Sequence, residues 1–522
     1  MSKILIGTGT GQNYDEPATK RRGSNNQARE PRSSFAGSRG IKMKYETVIG
    51  LEIHAQLLTE SKIFCGCSTK FGSAPNTNIC PVCTGQPGVL PVLNKKVVDF
   101  AIKTGLSLNA TIANHSIFAR KNYFYPDLPK NYQISQYELP IATKGYMDIT
   151  VDGEIKHIGI TRVHLEEDAG KLVHKGAAGL KGATSSLVDF NRTGVPLMEI
   201  VTEPDIRSAE EAKVFMSELR SLLVYLGVCD GNMEEGSLRC DANISLRKPG
   251  QKELGVKTEV KNMNSFKSVQ KALFAEIKRQ TNILDEGGRI TQETRLYDDA
   301  SDTTVQMRSK EEAHDYRYFP EPDLVPLEID KKWIDEIKAT IPELPQEKRI
   351  RFVKQYELSE ADATILTNDL NMANYFEESV KLLNEPRQIG NWLIGDASAY
   401  CNENNKTILD ILPPDGLVEI IKHIKNGAIS RKTAKEVFIE ASAEGKEVND
   451  IIKESGATQI SNEDELLNII KDVISSNPKP VSEYKAGKTA TLSFIIGQVM
   501  KATKGRANPD ILNKLLKKEL DK

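Results

Sequence analysis

Apolar and polar residues alternate with a period of two in three stretches of the N-terminal half, and this pattern predicts β-strands. The stretches are 45–57, 239–247 and 256–261. Between the first two, segment 209–226 carries apolar residues at helical spacing and follows Ser208, a typical N-cap residue, so we predict a helix there. Together these patterns indicate an α+β fold with a mixed or largely antiparallel sheet.

The pattern changes at the segment 341–345, which contains two prolines and is followed by helical spacing without strand signals. We therefore predict an α+β domain over 43–340, a helical domain over 341–455 and a helical tail over 456–522. Residues 1–42 are rich in Gly, Ser, Asn and Arg and contain no long apolar run. We expect a disordered leader there and leave it out of the fold prediction.

The composition excludes several classes of protein. The 522 residues include 70 basic and 72 acidic ones, so the whole molecule is not an electrostatic binder of nucleic acid. A local excess lies at the end of the chain, with ten basic and four acidic residues in 479–522. No apolar run reaches the roughly 18 residues that a membrane-spanning helix needs. We expect a soluble protein in the bacterial cytoplasm, or in an organelle, with no membrane partner.

Four of the seven cysteines form two closely spaced pairs. Cys65 and Cys67 are separated by one residue, and Cys80 and Cys83 by two. This spacing suits a closed tetrahedral Zn²⁺ site with a structural role in a reducing compartment. Two unrelated pairs of buried thiols are the alternative.

Side chains that could bind a hard cation lie on the first predicted strand and in two later segments. Glu52 and His54 share one face of that strand because they are two residues apart. Segment 166–168 contains three consecutive acids, and Glu199 lies in an apolar run, where an unpaired carboxylate is costly. Its partner is either a divalent cation such as Mg²⁺ or Mn²⁺ or a salt bridge to Arg192, and the residues leave both interpretations open.

Two other features could contact a polar ligand. Segment 120–133 combines aromatic residues with lysines and prolines, which suits a rigid loop that binds a nucleotide, or a packed surface loop. The polar faces of the later strands carry Arg239, Lys257 and Lys261, although such faces are usually just solvated. Neither a P-loop nor a dinucleotide fingerprint nor a nucleophile elbow is present. If ATP is a substrate, metal, lysines and arginines must hold its phosphates.

Read together, these stretches resemble the B subunits of the tRNA-dependent amidotransferases, the GatB family, from Tyr45 to the C-terminus. Several long motifs occur in the same order as in the family, which makes the resemblance specific. They are 48–54 (VIGLEIH), 120–136, 164–171 (HLEEDAGK), 234–243 (EEGSLRCDAN), 262–266 (NMNSF), 315–323 (DYRYFPEPD) and 497–505 (GQVMKATKG).

The resemblance implies a carbon–nitrogen ligase with glutamine as amido donor. The B subunits of this family would use ATP and Mg²⁺ to phosphorylate the side-chain carboxylate of Glu-tRNA(Gln) or Asp-tRNA(Asn). Ammonia from the A subunit, a partner amidase, would then displace the phosphate, and a small C subunit would complete a heterotrimer. The region 374–522 is similar to the YqeY-like module of the family, whose tail contacts tRNA.

Carried over position by position, the family's cation site falls on His54, Glu167 and Glu199, with Glu52 beside them. Lys121 matches a family lysine and would contact a phosphate or the substrate carboxylate. Because all four zinc cysteines are present, the resemblance also implies an occupied structural zinc site. The candidate catalytic residues are thus Glu52, His54, Lys121, Glu167 and Glu199, and the candidate ATP-binding residues are Lys121 together with Arg239, Lys257 and Lys261 from the strand faces.

Two rival functions use the same residues differently. A non-catalytic tRNA-binding zinc protein would not need the acidic residues and His54. A metal-dependent phosphohydrolase or nuclease would need them, but it would consume nucleotide or tRNA without an acyl acceptor.

Overall fold

The computed structural model describes residues 44–176, 184–307, 316–455, 463–503, 507 and 509–521. The expected leader over 1–42 lies outside these described residues. Within them, all strands lie at or before residue 328, and the chain beyond is helical. The predicted α+β region followed by an all-α region is therefore confirmed.

The strands are named in chain order. They are β1 (Glu46–Gln56), β2 (Thr111–Ile112), β3 (His115–Ser116), β4 (Ala119–Asn122), β5 (Tyr132–Ser135), β6 (Ala142–Val151), β7 (Glu154–Glu167), β8 (Lys171–Lys175), β9 (Ser185–Asp189), β10 (Pro196–Thr202), β11 (Leu238–Arg247), β12 (Thr258–Lys261), β13 (Glu293–Asp298), β14 (Thr303–Gln306), β15 (Phe319–Pro320) and β16 (Leu327–Glu328).

The α-helices are named in the same way. They are α1 (Lys95–Ser107), α2 (Ala209–Tyr225), α3 (Phe266–Asp285), α4 (Lys331–Lys338), α5 (Pro345–Tyr356), α6 (Glu360–Thr367), α7 (Leu370–Leu382), α8 (Pro386–Trp392), α9 (Ser398–Asn404), α10 (Pro414–Lys425), α11 (Arg431–Glu444), α12 (Val448–Ser455), α13 (Glu463–Ser476), α14 (Pro478–Lys485), α15 (Thr491–Ala502) and α16 (Pro509–Leu520). A π-helical turn over Leu393–Ala397 links α8 to α9, and a 3₁₀ turn covers Ile408–Asp410.

One large mixed sheet dominates the N-terminal region. Its order is β14–β13–β12–β11–β1–β10–β7–β5–β4–β15, with β6 also paired to β7 and β2 paired to β6. The paired strands are antiparallel except for β12 and β13, which run parallel. Two small pairs, β8 with β9 and β3 with β16, lie outside this sheet.

Alternate side chains of the central strand β1 point to an apolar face and to a polar face of the large sheet. Ile49, Leu51 and Ile53 are fully buried on the apolar face, where they join a core that includes α1, α2 and α3. The predicted cap of α2 is present, since the Ser208 hydroxyl accepts the Glu211 N–H at 3.0 Å. The face opposite this core is left for polar side chains.

Buried apolar side chains form three clusters along the chain. The first contains strand and helix residues between 49 and 329, the second lies mainly within 352–452, and the third lies within 466–520. This grouping supports the domain limits that we propose near residues 340 and 456. In the part of the chain that the structure describes, no helix is both long and apolar enough to cross a membrane.

Candidate active site

The four paired cysteines meet in the loop between β1 and α1. Their Sγ atoms all lie within 4.8 Å of one another, and those of Cys80 and Cys83 are 3.9 Å apart. Gly85 has a φ of +67° and closes the turn after the second pair, where its N–H donates to the Val82 carbonyl at 3.1 Å. A residue with a Cβ is strained in this conformation, so glycine suits the turn.

Electrostatics favour a metal at this cluster. A hydrogen bond from Cys65 lowers the pKa of Cys83 to about 4 against the opposing effect of burial, and the charge of Lys62 adds to the lowering. Lys62 is fully buried, with its Nζ 3.6 Å from the Cys83 Sγ and 2.8 Å from the Asn78 carbonyl oxygen. Four convergent thiols, one of them stabilised as a thiolate, fit Zn²⁺ without an open ligand position.

A second cluster forms on the polar face of the large sheet. The register places Glu199 of β10 between two histidines, directly opposite His54 of β1 and His164 of β7. Residues on one face of a strand recur every second position, so Glu166 and Glu52 reach the same surface. Three carboxylates and two imidazoles therefore converge from three adjacent strands. We call Glu52, His54, His164, Glu166 and Glu199 the acid–imidazole cluster.

Glu199 is at the centre of the acid–imidazole cluster. Its Oε2 lies 3.2 Å from the Nε2 of His54 and 3.5 Å from the Nε2 of His164. The His54 Nε2 is also 3.7 Å from the nearest carboxylate oxygens of Glu52 and Glu166. Oxygen donors from several carboxylates together with an imidazole fit Mg²⁺ or Mn²⁺.

Burial and mutual repulsion perturb the protonation of this cluster. Burial opposes protonation of His54, but a hydrogen bond to Glu199 and the charges of Glu166 and Glu52 raise its pKa to about 9. Burial lowers the pKa of His164 to about 4. Burial and the charge of Glu199 raise the pKa of Glu166 to about 7, and they also raise the pKa of Glu52. These carboxylates lack enough positive charge from the protein itself.

The structure separates Glu167 from the acid–imidazole cluster, contrary to the ligand set expected from the resemblance. Adjacent residues of a strand point to opposite faces, so Glu166 faces His54 while Glu167 faces away. Glu167 instead pairs with Lys130, and it accepts the Ile134 N–H at 2.9 Å. Both Glu167 and Lys130 line a cavity of about 220 Å³ that extends to Cys65 and Cys83.

Arg192 is not the partner of Glu199. Its guanidinium donates to the carbonyls of Ala169 at 2.9 Å and Gly170 at 2.6 Å, and it lies 3.8 Å from Asp168. The only arginine paired with Glu199 among the described residues is Arg162, at 3.4 Å. Glu199 thus pairs with an arginine, but this arginine is Arg162 and not Arg192. The contacts of Glu199 with His54 and His164 are made in addition to this pair.

Lys121 lies beside the acid–imidazole cluster. It is on β4, and its charge lowers the pKa values of both Glu166 and His164. Its Nζ is 5.0 Å from the centre of the Tyr316 ring and 5.9 Å from that of Tyr123. An ammonium at this place can meet an anionic group that approaches the carboxylates.

The other three basic residues are placed less directly. Arg239 is opposite His54 in the sheet, but its guanidinium pairs with Asp168 at 3.1 Å. Lys261 pairs with Asp241 and, at 3.0 Å, with Glu259. Lys257 is exposed at the start of β12.

Sequence reasoning missed two members of the cluster, His164 and Glu166. The signal was present in segment 164–167, because period-two spacing puts these two residues on one face and excludes Glu167 from it. It could not be used without knowing that β7 lies beside β10, which is 29 residues or more further along the chain.

Comparison with known proteins identifies the family of this chain. Residues 47–335 match the family model of the GatB/GatE catalytic domain, and residues 374–520 match that of the GatB domain. The chain is 55% identical over 480 residues to the B subunit of the aspartyl/glutamyl-tRNA(Asn/Gln) amidotransferase of Carboxydothermus hydrogenoformans, covering 92% of this chain and 99% of that protein.

Two further relatives carry the same name. The protein of Thermoanaerobacter sp. is 56% identical over 481 residues, and that of Thermodesulfovibrio yellowstonii is 56% identical over 479. Each match covers 92% of this chain and 100% of the relative. The chain therefore belongs to the GatB family, the B subunits of the aspartyl/glutamyl-tRNA(Asn/Gln) amidotransferases.

Proposed function

We propose that this protein activates the side-chain carboxylate of Glu-tRNA(Gln), Asp-tRNA(Asn) or both by ATP-dependent phosphorylation. The single observation that supports this most directly is the acid–imidazole cluster, with Lys121 beside it. A carboxylate is a poor acceptor for ammonia, whereas an acyl phosphate has a good leaving group. The transfer needs positioning and charge neutralisation more than a protein nucleophile.

The reaction has two balanced steps. A substrate carboxylate oxygen attacks the γ-phosphorus of ATP, the bond to the bridging oxygen breaks, and ADP leaves. Ammonia then attacks the acyl carbon, the bond to the phosphate oxygen breaks, and inorganic phosphate leaves with the amide formed and a proton released.

The cluster residues have distinct proposed roles in the first step. Glu52, His54 and Glu199, with Glu166 and His164 beside them, would hold Mg²⁺, which when bound supplies positive charge to the phosphoryl oxygens. Lys121 would orient the phosphate or the substrate carboxylate through its ammonium group. This ligand set replaces the one with Glu167, since Glu167 is occupied by Lys130 on the other face of β7.

Three further basic residues, Arg239, Lys257 and Lys261, are proposed to contact ATP. Lys257 is exposed and open to contact with a phosphate, whereas Arg239 and Lys261 would have to share their charge with Asp168 and Asp241. The positive charge that reaches ATP therefore comes chiefly from Lys121 and the cation in this proposal.

The names of the relatives also support a proposal for the partners and the location. The relatives are named as B subunits, which supports a heterotrimer with an A subunit, the amidase, and a small C subunit. We assign the basic tail after residue 479 to phosphate contacts with the aminoacylated tRNA, because ten basic residues there exceed four acidic ones. The bacterial origin of the relatives supports a location in the bacterial cytoplasm.

Reconstitution tests the proposed function. The protein would be combined with its A and C partners, Glu-tRNA(Gln) or Asp-tRNA(Asn), ATP, Mg²⁺ and glutamine, and both amidated tRNA and phosphate would be measured. We expect one phosphate released per amide and no release without the aminoacyl group. Phosphate release with deacylated tRNA at the same rate would support a phosphohydrolase. Binding of tRNA without either product would support the non-catalytic alternative.

The cysteine cluster is proposed to bind a structural Zn²⁺. The double variant Cys80→Ser and Cys83→Ser should lose one equivalent of zinc and melt roughly 5 °C lower or more, while turnover per folded molecule stays close to that of the wild type. Cys401→Ser is the matched control, since this buried thiol lies outside the cluster. A double variant that lacks zinc and keeps the wild-type melting temperature contradicts the structural role.

A further inference from the structure

Four tyrosine rings form a row beside the acid–imidazole cluster. We call Tyr123, Tyr137, Tyr316 and Tyr318 the tyrosine row. The rings of Tyr137 and Tyr318 stack in parallel, with centroids 4.1 Å apart and planes 6° apart. Tyr316 contacts Tyr318 edge-on at 6.0 Å and contacts Tyr123 in the same way at 6.0 Å. The row thus runs without a break from Tyr123 to Tyr137.

The backbone holds the tyrosine row in place. Tyr123 directly follows β4, Tyr137 follows β5 by two residues, and Tyr318 directly precedes β15. Asn122 joins the first of these segments to the third, because its N–H donates to the Tyr316 carbonyl at 2.9 Å and its side-chain amide to the Arg317 carbonyl at 2.8 Å. The rings are therefore fixed to three neighbouring strands of the sheet.

The inner end of the row lies at the proposed reaction site. The Lys121 Nζ is 5.0 Å from the centre of the Tyr316 ring. Burial, followed by the charges of Glu166 and Glu199, raises the pKa of the Tyr318 phenol, so this ring is within electrostatic reach of the cluster.

The outer end of the row is open to solvent. Tyr137 is 55% exposed, although it is stacked on Tyr318. A rigid ring with an open face is the platform that proteins use to stack nucleobases. Adenine meets both requirements of the site, because adenosine carries phosphates in ATP and carries the aminoacyl ester at the 3′ end of tRNA.

We propose that Tyr137, supported from behind by Tyr318, stacks the adenine ring of a substrate whose reacting group reaches Lys121 and the acid–imidazole cluster. The adenine belongs either to ATP or to the terminal adenosine of the aminoacyl-tRNA, and the experiment separates these two sources. The proposal rests on the function proposed above, since it assigns the base-binding part of the same site. It adds a binding residue, Tyr137, that carries no charge and does not touch the proposed cation.

The test compares three variants of the assembled heterotrimer: Tyr137→Ala, Tyr137→Phe and the control Phe274→Ala. Phe274 is 61% exposed and lies on α3, which packs on the apolar side of the sheet. Equilibrium affinities for ATP, for inorganic tripolyphosphate and for Glu-tRNA(Gln) would each be measured by calorimetry with no other reactant present. Melting temperatures check that each variant is folded.

We expect Tyr137→Ala to weaken binding of one adenosine-containing substrate about tenfold, in the range that base stacking contributes. Tyr137→Phe keeps the ring and should bind within about twofold of the wild type, as should Phe274→Ala. Tripolyphosphate has no base, so its affinity should not change in any variant.

The outcomes are separable. A loss confined to ATP assigns the stack to the cosubstrate, and a loss confined to Glu-tRNA(Gln) assigns it to the terminal adenosine. Unchanged affinities for both in Tyr137→Ala overturn the proposal, and so does an equal loss in Tyr137→Phe, which would indicate distortion of the site. Because these affinities need no turnover, failure of the wild-type heterotrimer to release phosphate would refute the proposed function without affecting the measurement of the stack.

Discussion

Buried carboxylates in two regions of this protein differ in how completely they are paired with positive charge and hydrogen-bond donors. On the helix-covered side of the sheet, the fully buried Glu276 accepts two hydrogen bonds from Arg279, at 2.6 and 2.9 Å, and others from Gln280 and Thr304. Arg295 lies 3.5 Å away from the same carboxylate. On the polar side, three carboxylates share two histidines and one arginine contact at 3.4 Å. Burial opposes ionisation of Glu199, but His164, His54 and Arg162 lower its pKa, whereas the pKa values of Glu52 and Glu166 stay raised.

The difference appears in the protonation of the two regions. Burial raises the pKa of Glu276, but the bonds from Arg279 and Gln280 outweigh it and bring the pKa below the ordinary value. In the acid–imidazole cluster, Glu166 and Glu52 have raised pKa values. Because this fold pairs Glu276 so completely, the raised pKa values of Glu52 and Glu166 support the cation that we propose beside them.

The largest effect is expected at the centre of the cluster. Glu199→Gln keeps the size of the side chain but removes the charge that both imidazoles face, so phosphate release and amidation should fall about 100-fold or more. Glu203→Gln is the matched control, since Glu203 is exposed and only accepts a bond from Thr161. Amidation by Glu199→Gln at the wild-type rate contradicts the proposed site.

Glu276→Gln should show the opposite behaviour. It removes the charge of a fully buried carboxylate that pairs with Arg279 and lies 3.5 Å from Arg295, so we expect a loss of about 3 kcal/mol in the free energy of unfolding. Turnover per folded molecule should stay unchanged, because the residue is on the other side of the sheet. Denaturant unfolding and steady-state rates measure the two effects, and a large loss of turnover without a loss of stability would erase the contrast between the regions.

A pair of adjacent residues sharpens the comparison further. Glu166→Gln should weaken binding of Mg²⁺ or Mn²⁺ roughly tenfold, or by about 1.4 kcal/mol, and so reduce the rise in melting temperature that the cation causes. Glu167→Gln should keep that rise, since it faces Lys130 instead. Thermal melting with and without the cation decides between them, and the reverse pattern would restore the ligand set that contains Glu167.

The smallest effect concerns a paired carboxylate in the helical region. Burial acts to raise the pKa of Glu377, but hydrogen bonds from Arg351 and Lys348 lower this pKa to about 2. A pKa depressed below the unfolded value of about 4.3 gives stability that is present above that value and lost as the pH falls toward 2. Glu377→Gln should therefore lower the melting temperature more at pH 6 than at pH 3. An equal decrease at both values would show that the charge of Glu377 contributes nothing.

Local spacing sufficed to predict some of these features. The thiols of Cys65 and Cys67 are near those of Cys80 and Cys83 because one loop carries all four, so sequence distance already limits their separation. The alternation of β1 predicted that Glu52 and His54 share a face, and the apolar run around Glu199 predicted a buried carboxylate. Each of these inferences needed one segment only.

Other features depend on which strands are neighbours, and a single sequence does not contain that information. One residue of register in β7 against β10 decides which of Glu166 and Glu167 faces His54. A salt bridge to Arg192, close in sequence, was one of the two interpretations of Glu199, but the arginine that pairs with it is Arg162, because β7 is adjacent to β10. The tyrosine row joins segments almost 200 residues apart, and only part of it belonged to the predicted aromatic loop.

The central position of β1 couples the chemistry of this protein to its folding. The strand is bonded along both edges, to β10 and β11, and its alternate side chains supply the core on one side and Glu52 and His54 on the other. A shift of the β1 register by one residue would place His54 in the apolar core and expose Ile53, so a misaligned sheet would be unstable. On heating, the site should therefore lose activity at the same temperature at which the whole sheet unfolds. We expect no partly unfolded form in which the sheet persists and the site is damaged.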